Sequence, residues 1–338
     1  MKTKILFALS LLVSLSASAA PQKFINHEDV SGPRECFRGV FENYDSWAKM
    51  MREKGSKRPI SDEAKEKRYA GFKKAFPKKL FNHYKKTIDC QTFVYDVDGV
   101  EVLGYVVKPK NAENLPVLVF NRGGNGNYGG MVFGAMMRGL FPMAEKGFVI
   151  VGSQYRGTFK RNSEHKDEFG GADVQDVVKI AELAKYVEGG DANRIGMYGS
   201  SRGGMQTFLA VKQLDHIDAI AVINGRSDLI QGLKERIAME NVYKKRIPNY
   251  ATQKEQELVK RSVLNWAHEL DKNVPILLIA GELDKRVSVN HSKNLAKKLA
   301  ELEHPHKLVV YKEEGHSIMK NKADKEDKLT DWFNTHLK

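Results

Sequence analysis

Residues 197–204, MYGSSRGG, place two adjacent serines between glycines directly after the apolar run RIGMY. Spacing separates the two. Ser201 has Gly199 two before it and Gly203 two after it, whereas Ser200 has Tyr198 and Arg202 at those distances. Only Ser201 fits G-x-S-x-G, the pattern of a sharp strand-to-helix turn that lifts a serine clear of a sheet. Glycine at both flanks removes side chains that would collide with the strand or the helix. MQTFLAVKQL follows, with Met205, Phe208, Leu209 and Val211 at helical spacing, so Ser201 belongs at a helix N-terminus, where partial positive charge favours a developing anion. A Gly/Ser-rich loop that merely caps a helix carries the same short signature. Chemistry at Ser201 therefore needs partners.

A serine nucleophile requires a histidine to take its proton and a carboxylate to hold that histidine, and on a strand-turn-helix elbow these follow in the chain order Ser, Asp/Glu, His. The apolar run VPILLIAG leads into GELDKRV at 281–287, which places Asp284 just after a strand, and HKLVVY leads into KEEGHS at 312–317, which places His316 just after the next. All three residues then lie at the carboxyl ends of strands, where sites gather in open α/β sheets. Glu282 is the second choice for the acid. His304, His306 and His291 are weaker candidates for the base, because they fall before a strand or inside a helix. The oxyanion needs donors as well. One is expected from the backbone N–H of Arg202, the residue after the nucleophile. The other is expected from the glycine-rich loop NRGGNGNYGG at 121–130, with Arg122 and Gly123 as candidates. That loop lacks the Lys and Ser/Thr of a phosphate-binding P-loop.

These residues need a sheet to hold them. From Thr87, TFVYDVDGVEVLGYVVKP reads as a hairpin around Val97-Asp98-Gly99. Strands and helices then alternate: PVLVF, a helix near 130–146, GFVIVGSQ, a helix near 172–187, RIGMY, the helix after Ser201, DAIAVIN, a helix-rich insertion over 226–272, VPILLIAG, a helix, HKLVVY and a last helix. The alternation predicts an α/β protein with a mostly parallel sheet covered by helices on both faces. Residues 20–86 read instead as a small, basic, helical segment, in which Ser61 caps a helix and Phe37, Phe41 and Trp47 form a packing stripe.

With those motifs in place, the chain from about Thr87 onward resembles the catalytic domain of the prolyl oligopeptidase family (peptidase S9), within the α/β-hydrolase superfamily. The matching stretches are GSSRGG around Ser201, YRGTFKRNSEHKDEFGGADVQDV at 155–177, GELDKRV around Asp284 and EEGH before His316. The resemblance implies an α/β-hydrolase catalytic domain over 87–338 with Ser201 as nucleophile, Asp284 as acid and His316 as base, and no cofactor. It departs from the family pattern in two places. Some members supply an oxyanion donor from a tyrosine before the paired glycines; Arg122 stands there, and either its guanidinium or its backbone N–H is available. Larger members carry a β-propeller that restricts access to peptides, and the segment before Thr87 is far too short for one. The expected substrate is thus a small peptide or an ester, cleaved by a serine-type peptidase or a carboxylesterase; a non-catalytic binding protein of the same fold is the alternative from another class.

The chain is 338 residues long and opens MKTKILFALSLLVSLSASAAPQ: lysines, an apolar run and an Ala-Ser-Ala cleavage pattern. That predicts a secretory signal peptide over 1–19 and a periplasmic or secreted product without an integral membrane anchor. The net charge of +13 is concentrated between residues 52 and 86, which hold thirteen Lys or Arg against four Asp or Glu. A basic face attracts anionic surfaces, but a solvated helix face is the simpler reading and an exported protein has little access to nucleic acid. Cys36 and Cys90 are the only cysteines, and an oxidising compartment favours one disulfide over two unpaired thiols. No Cys/His grouping has zinc-site spacing, so no metal is expected.

Overall fold

A strand buried on both faces must be apolar throughout, and VIVGS, AIAVI and ILLIAG are buried at every residue. They form the middle of one nine-stranded sheet in a computed structural model that describes residues 22–54, 60–160 and 163–338. The expected signal peptide lies outside the described residues. In chain order the strands are β1 (Val30–Glu35), β2 (Ile88–Val97), β3 (Val100–Pro109), β4 (Leu115–Asn121), β5 (Val149–Ser153), β6 (Gly190–Ser200), β7 (Ala219–Ile223), β8 (Ile276–Gly281) and β9 (His306–Tyr311). In space they run β1-β2-β3-β5-β4-β6-β7-β8-β9. The pairs from β1 to β5 through β2 and β3 are antiparallel, and every pair from β5 through β4 to β9 is parallel.

The β2–β3 turn follows from two residues. Asp98 and Gly99 both have positive φ, 52° and 80°, as a two-residue type I′ hairpin requires, and the Gly99 N–H donates to the Asp96 carboxylate at 2.9 Å. One face of the sheet is covered by helices Asp173–Leu183, Arg202–Val211 and Val289–Glu301, which bury Val177, Ile180, Phe208 and Leu295. The other is covered by Phe133–Gly139, Phe141–Glu145 and Lys322–His336, which bury Met136, Phe141 and Phe333. The helix expected near 130–146 is thus two helices, broken at Leu140 where Pro142 cannot continue a hydrogen-bonded turn.

The segment before β2 is only partly helical. Helices Tyr44–Glu53, Asp62–Ala75 and Lys78–Thr87 form as expected, the second capped by Ser61. Residues 30–35, read as helical from the sequence, are instead the edge strand β1, paired antiparallel with β2. Its register shifts between Ser31 and Arg34, around Gly32 and Pro33, as an edge strand tolerates and a helix interior does not. Phe37, Phe41 and Trp47 converge on Phe133 with ring centroids 5.2, 4.6 and 5.1 Å away. The 226–272 stretch forms helices Leu229–Glu235, Met239–Arg246, Tyr250–Lys260 and Val263–Trp266. Leu229, Leu233 and Tyr243 from these helices pack with Phe169 and with Met205 of the helix after Ser201. No helix among the described residues is long and apolar enough to cross a membrane.

Cys36 and Cys90 are joined by a disulfide that ties the chain after β1 to β2 and closes a loop of sequence separation 54. A loop of that length restricts the unfolded chain by about 4 kcal/mol. Reduction, or Cys36→Ser with Cys90→Ser, should therefore lower the thermal midpoint measured by circular dichroism. An unchanged midpoint in the reduced protein would show that the crosslink is dispensable.

Candidate active site

The elbow is built where β6 ends. Ser201 has φ 57° and ψ −123°, a conformation that residues with side chains rarely adopt and that surrounding contacts must enforce. Its N–H donates to the Ile223 carbonyl at 2.8 Å, and its carbonyl accepts from the Gly204 N–H at 3.0 Å. The flanking glycines are sterically required. A Cβ on Gly199 would lie 2.1 Å from the Gly203 carbonyl oxygen, and one on Gly203 would lie 1.9 Å from that of Asn121. The helix begins at Arg202, whose N–H has no intrahelical acceptor at that position.

The structure brings Asp284 and His316 together. Asp284 follows β8, His316 follows β9, and His316 Nδ1 meets Asp284 Oδ2 at 2.6 Å. The other carboxylate oxygen accepts the backbone N–H groups of Arg286 at 2.7 Å and Val287 at 3.1 Å. Burial favours the neutral form of Asp284, but the His316 hydrogen bond and these two amides outweigh it and hold the carboxyl below its ordinary value. Asn224 sets the height of the histidine loop: its Nδ2 donates to the His316 carbonyl at 2.8 Å while its Oδ1 accepts from Gly281 at 2.9 Å. Glu314 braces the same loop by accepting from the N–H groups of Met319 at 3.0 Å and Asn321 at 2.6 Å. Ser201 and His316 line one cavity of about 610 Å³.

The other candidates sit elsewhere. Glu282 is exposed to solvent. His304 bonds the Val274 carbonyl, and His306 bonds the His304 carbonyl from the start of β9. His291 is buried against Glu235 at 3.1 Å; the nearby Ser227 hydroxyl gives its proton to the His291 carbonyl at 2.8 Å and has no access to substrate.

The glycine-rich loop after β4 comes within reach of the elbow, with a difference at Arg122. A Cβ on Gly123 would lie 3.2 Å from Ser201 Cβ and 3.8 Å from its Oγ, so the backbone there runs directly against the serine. The Arg122 guanidinium does not. It is 1% exposed and turned inward, where it donates to the carbonyls of Gln154, Gly126 and Tyr128 and to the Thr158 hydroxyl. Carbonyls of its own loop and of Gln154, with the Thr158 hydroxyl, occupy its N–H groups.

The residue after the nucleophile has a second task that spacing does not reveal. The Arg202 side chain donates to Asp167 Oδ2 at 2.7 Å, to Asp173 and to the Gly124 carbonyl at 3.0 Å, while Asp167 also accepts the Gly126 N–H at 2.6 Å. Tyr155 lies between two guanidiniums, 4.7 Å from Arg122 and 5.0 Å from Arg202, and donates its hydroxyl to the Arg122 carbonyl at 3.0 Å. Burial disfavours charge on Arg202, but the two carboxylates more than offset it and keep the guanidinium ionised. Burial likewise opposes charge on Asp167, and Arg202 holds that carboxyl below its ordinary value. Asp167, Asp173 and Tyr155 lie within the 155–177 stretch, where only the cluster of acids and glycines hinted at a built loop.

A model of the prolyl oligopeptidase family matches residues 135–338. The uncharacterized peptidase YtmA of Bacillus subtilis is 27% identical over 229 residues, covering 68% of this chain and 86% of that protein. Dipeptidyl peptidase 8 of Mus musculus is 26% identical over 235 residues, covering 65% of this chain and 25% of that protein. Among solved structures, acylaminoacyl peptidase of Pyrococcus horikoshii is similar with a TM-score of 0.63 at 25% identity, over 76% of this chain and 43% of that one. The chain thus spans most of the Bacillus protein but less than half of the other two. The mostly parallel sheet is that of the α/β-hydrolase fold.

Replacing Arg202 by Met would leave Asp167 and Asp173 buried without their counter-charge, at a cost of about 3–5 kcal/mol. Urea unfolding should show that loss for Arg202→Met and a smaller one for Arg202→Lys, which keeps the charge. Equal stability of wild type and Arg202→Met would remove the network from this account.

Proposed function

The chain belongs to the prolyl oligopeptidase family, and on that premise we propose that it is an exported serine hydrolase that cleaves a peptide or ester bond through an acyl-enzyme. Ser201 is the nucleophile, His316 the general base and acid, and Asp284 the carboxylate that orients it. The observation that carries this reading is the 2.6 Å bond between His316 and Asp284 beside a cavity shared by His316 and Ser201. His316 accepts the Ser201 proton as the hydroxyl attacks the carbonyl carbon, then delivers it to the leaving amine or alcohol. Asp284 fixes Nδ1 as the protonated nitrogen, which leaves Nε2 free to act as base, and it stabilises the imidazolium that forms. The tetrahedral oxyanion is met by the backbone N–H groups of Arg202 and Gly123, supported by the partial positive charge of the helix that starts at Arg202. Water then repeats the cycle on the acyl-enzyme. Export is supported by the charged and apolar pattern of residues 1–19.

A fluorophosphonate probe should label the mature protein and Ser200→Ala but not Ser201→Ala. Asp284→Asn should retain the fold while kcat drops on the order of 10⁴-fold, because the imidazole is then held in the wrong tautomer. Turnover of p-nitrophenyl esters without turnover of peptidyl anilides would select the esterase form of the reading. Absence of labelling in folded wild-type protein would overturn the hydrolase reading.

A further inference from the structure

The cavity beside Ser201 has two kinds of wall. Phe169, Met205, Leu229 and Val242 give it apolar walls. Arg226, Arg236 and Arg286 line the same cavity. Arg202 also reaches the cavity, but its charge is matched by Asp167 and Asp173. The other three have no such match: among the described residues none of them forms a salt bridge. Arg226 is 8% exposed, and its partners are neutral, the Tyr243 hydroxyl at 3.1 Å and the Arg286 carbonyl at 2.9 Å, while its Nε is buried without a partner. Arg286 donates to the Tyr128 hydroxyl at 3.3 Å, across the mouth from the glycine-rich loop. Arg236 is exposed at the end of helix Leu229–Glu235.

Among the described residues the neighbouring carboxylates bond other groups and form no ion pair with these arginines. Glu235 meets His291 at 3.1 Å, Asp228 caps its helix by accepting from Ile230 at 2.8 Å, and Asp284 holds His316. Arg226 is buried against neutral oxygens while Arg236 and Arg286 are exposed, and cations grouped around one cleft add their fields. The apolar side chains of the lining lower the local dielectric and strengthen that field. Resting on the serine-hydrolase reading, we infer that this cavity selects substrates that carry a carboxylate close to the scissile bond, with an apolar portion seated against Phe169 and Met205. Two sources supply such a group: an acidic side chain on the acyl part, or the free C-terminal carboxylate of a short peptide on the leaving part. In either case the leaving group departs with the proton from His316, and water releases the acyl group from Ser201. The carboxylate is held while Ser201 attacks the neighbouring carbonyl.

The test compares kcat/KM within substrate pairs that differ by one charge. Peptidyl anilides and p-nitrophenyl esters ending in Glu or Gln probe the acyl side; a short peptide with a free carboxylate or an amide at its C-terminus probes the leaving side. The charged member of at least one pair should be preferred roughly ten- to hundredfold, as expected for a charge-assisted hydrogen bond, and the preference should shrink with added salt. Arg236→Gln should collapse the ratio and Arg236→Glu should reverse it. A preference confined to the Glu/Gln pairs assigns the acyl side, and one confined to the acid/amide pair assigns the leaving side. Equal rates within every pair, no turnover of any pair, or a ratio that Arg236→Glu does not move overturns the inference in protein that a fluorophosphonate still labels at Ser201. Loss of that labelling removes the hydrolase reading and this inference together.

Discussion

The buried guanidinium of Arg202 is the constraint on which the site depends. Its backbone opens the helix beyond Ser201, and its side chain crosses to Asp167, Asp173 and the Gly124 carbonyl. One residue therefore couples the elbow, the glycine-rich loop after β4 and the loop that leads into helix Asp173–Leu183. A charge this deep is costly unless every partner is in place. Such an arrangement contributes less to overall stability than to fixing a single geometry: Gly126 is pulled down by Asp167, Arg122 pulls the same loop from beneath, and Gly123 is left against Ser201. Backbone donors held this way need little reorganisation when negative charge appears, which is what makes fixed dipoles effective in catalysis.

The sheet supplies the larger frame. Since β6, β7, β8 and β9 are parallel neighbours, the residues after β6, β8 and β9 emerge on the same edge, and β4 beside β6 delivers its loop there too. Asn224, after β7, uses both ends of its amide to join β8 to the histidine loop, so β7 also sets the spacing of the loops beside it. Two peripheral pieces complete the molecule. The segment before β2 extends the antiparallel edge and is fastened by the Cys36–Cys90 disulfide. The 226–272 stretch packs onto Met205 and lends Arg226, Leu229, Arg236 and Val242 to the cavity wall.

Much of this was legible in the sequence because it rests on local rules. Gly199 and Gly203 flank Ser201 since no larger residue fits between strand and helix, and that requirement shows as spacing. Asp284 and His316 were legible because each follows an apolar run that reads as a buried strand. β1 was not: VSGPRE has only Val30 buried and contains Gly32 and Pro33, so neither periodicity nor propensity marks it, and its conformation comes from pairing with β2. The orientation of Arg122 was not legible either. Its position before paired glycines is local, but the direction of its side chain is decided by carbonyls of Gln154, Gly126 and Tyr128 that only the folded chain assembles. The roles of Asp167 and Asp173 have the same origin, since both depend on an arginine distant in sequence.

The central claim, that Ser201 is the nucleophile of an assembled site with backbone oxyanion donors, is tested most directly by a crystal structure of the phosphonylated protein. Phosphorus should be bonded to Ser201 Oγ, with one phosphonyl oxygen within hydrogen-bond distance of the Arg202 and Gly123 N–H groups and with His316 still bound to Asp284. An adduct on any other residue, or a phosphonyl oxygen turned away from both amides, would contradict it.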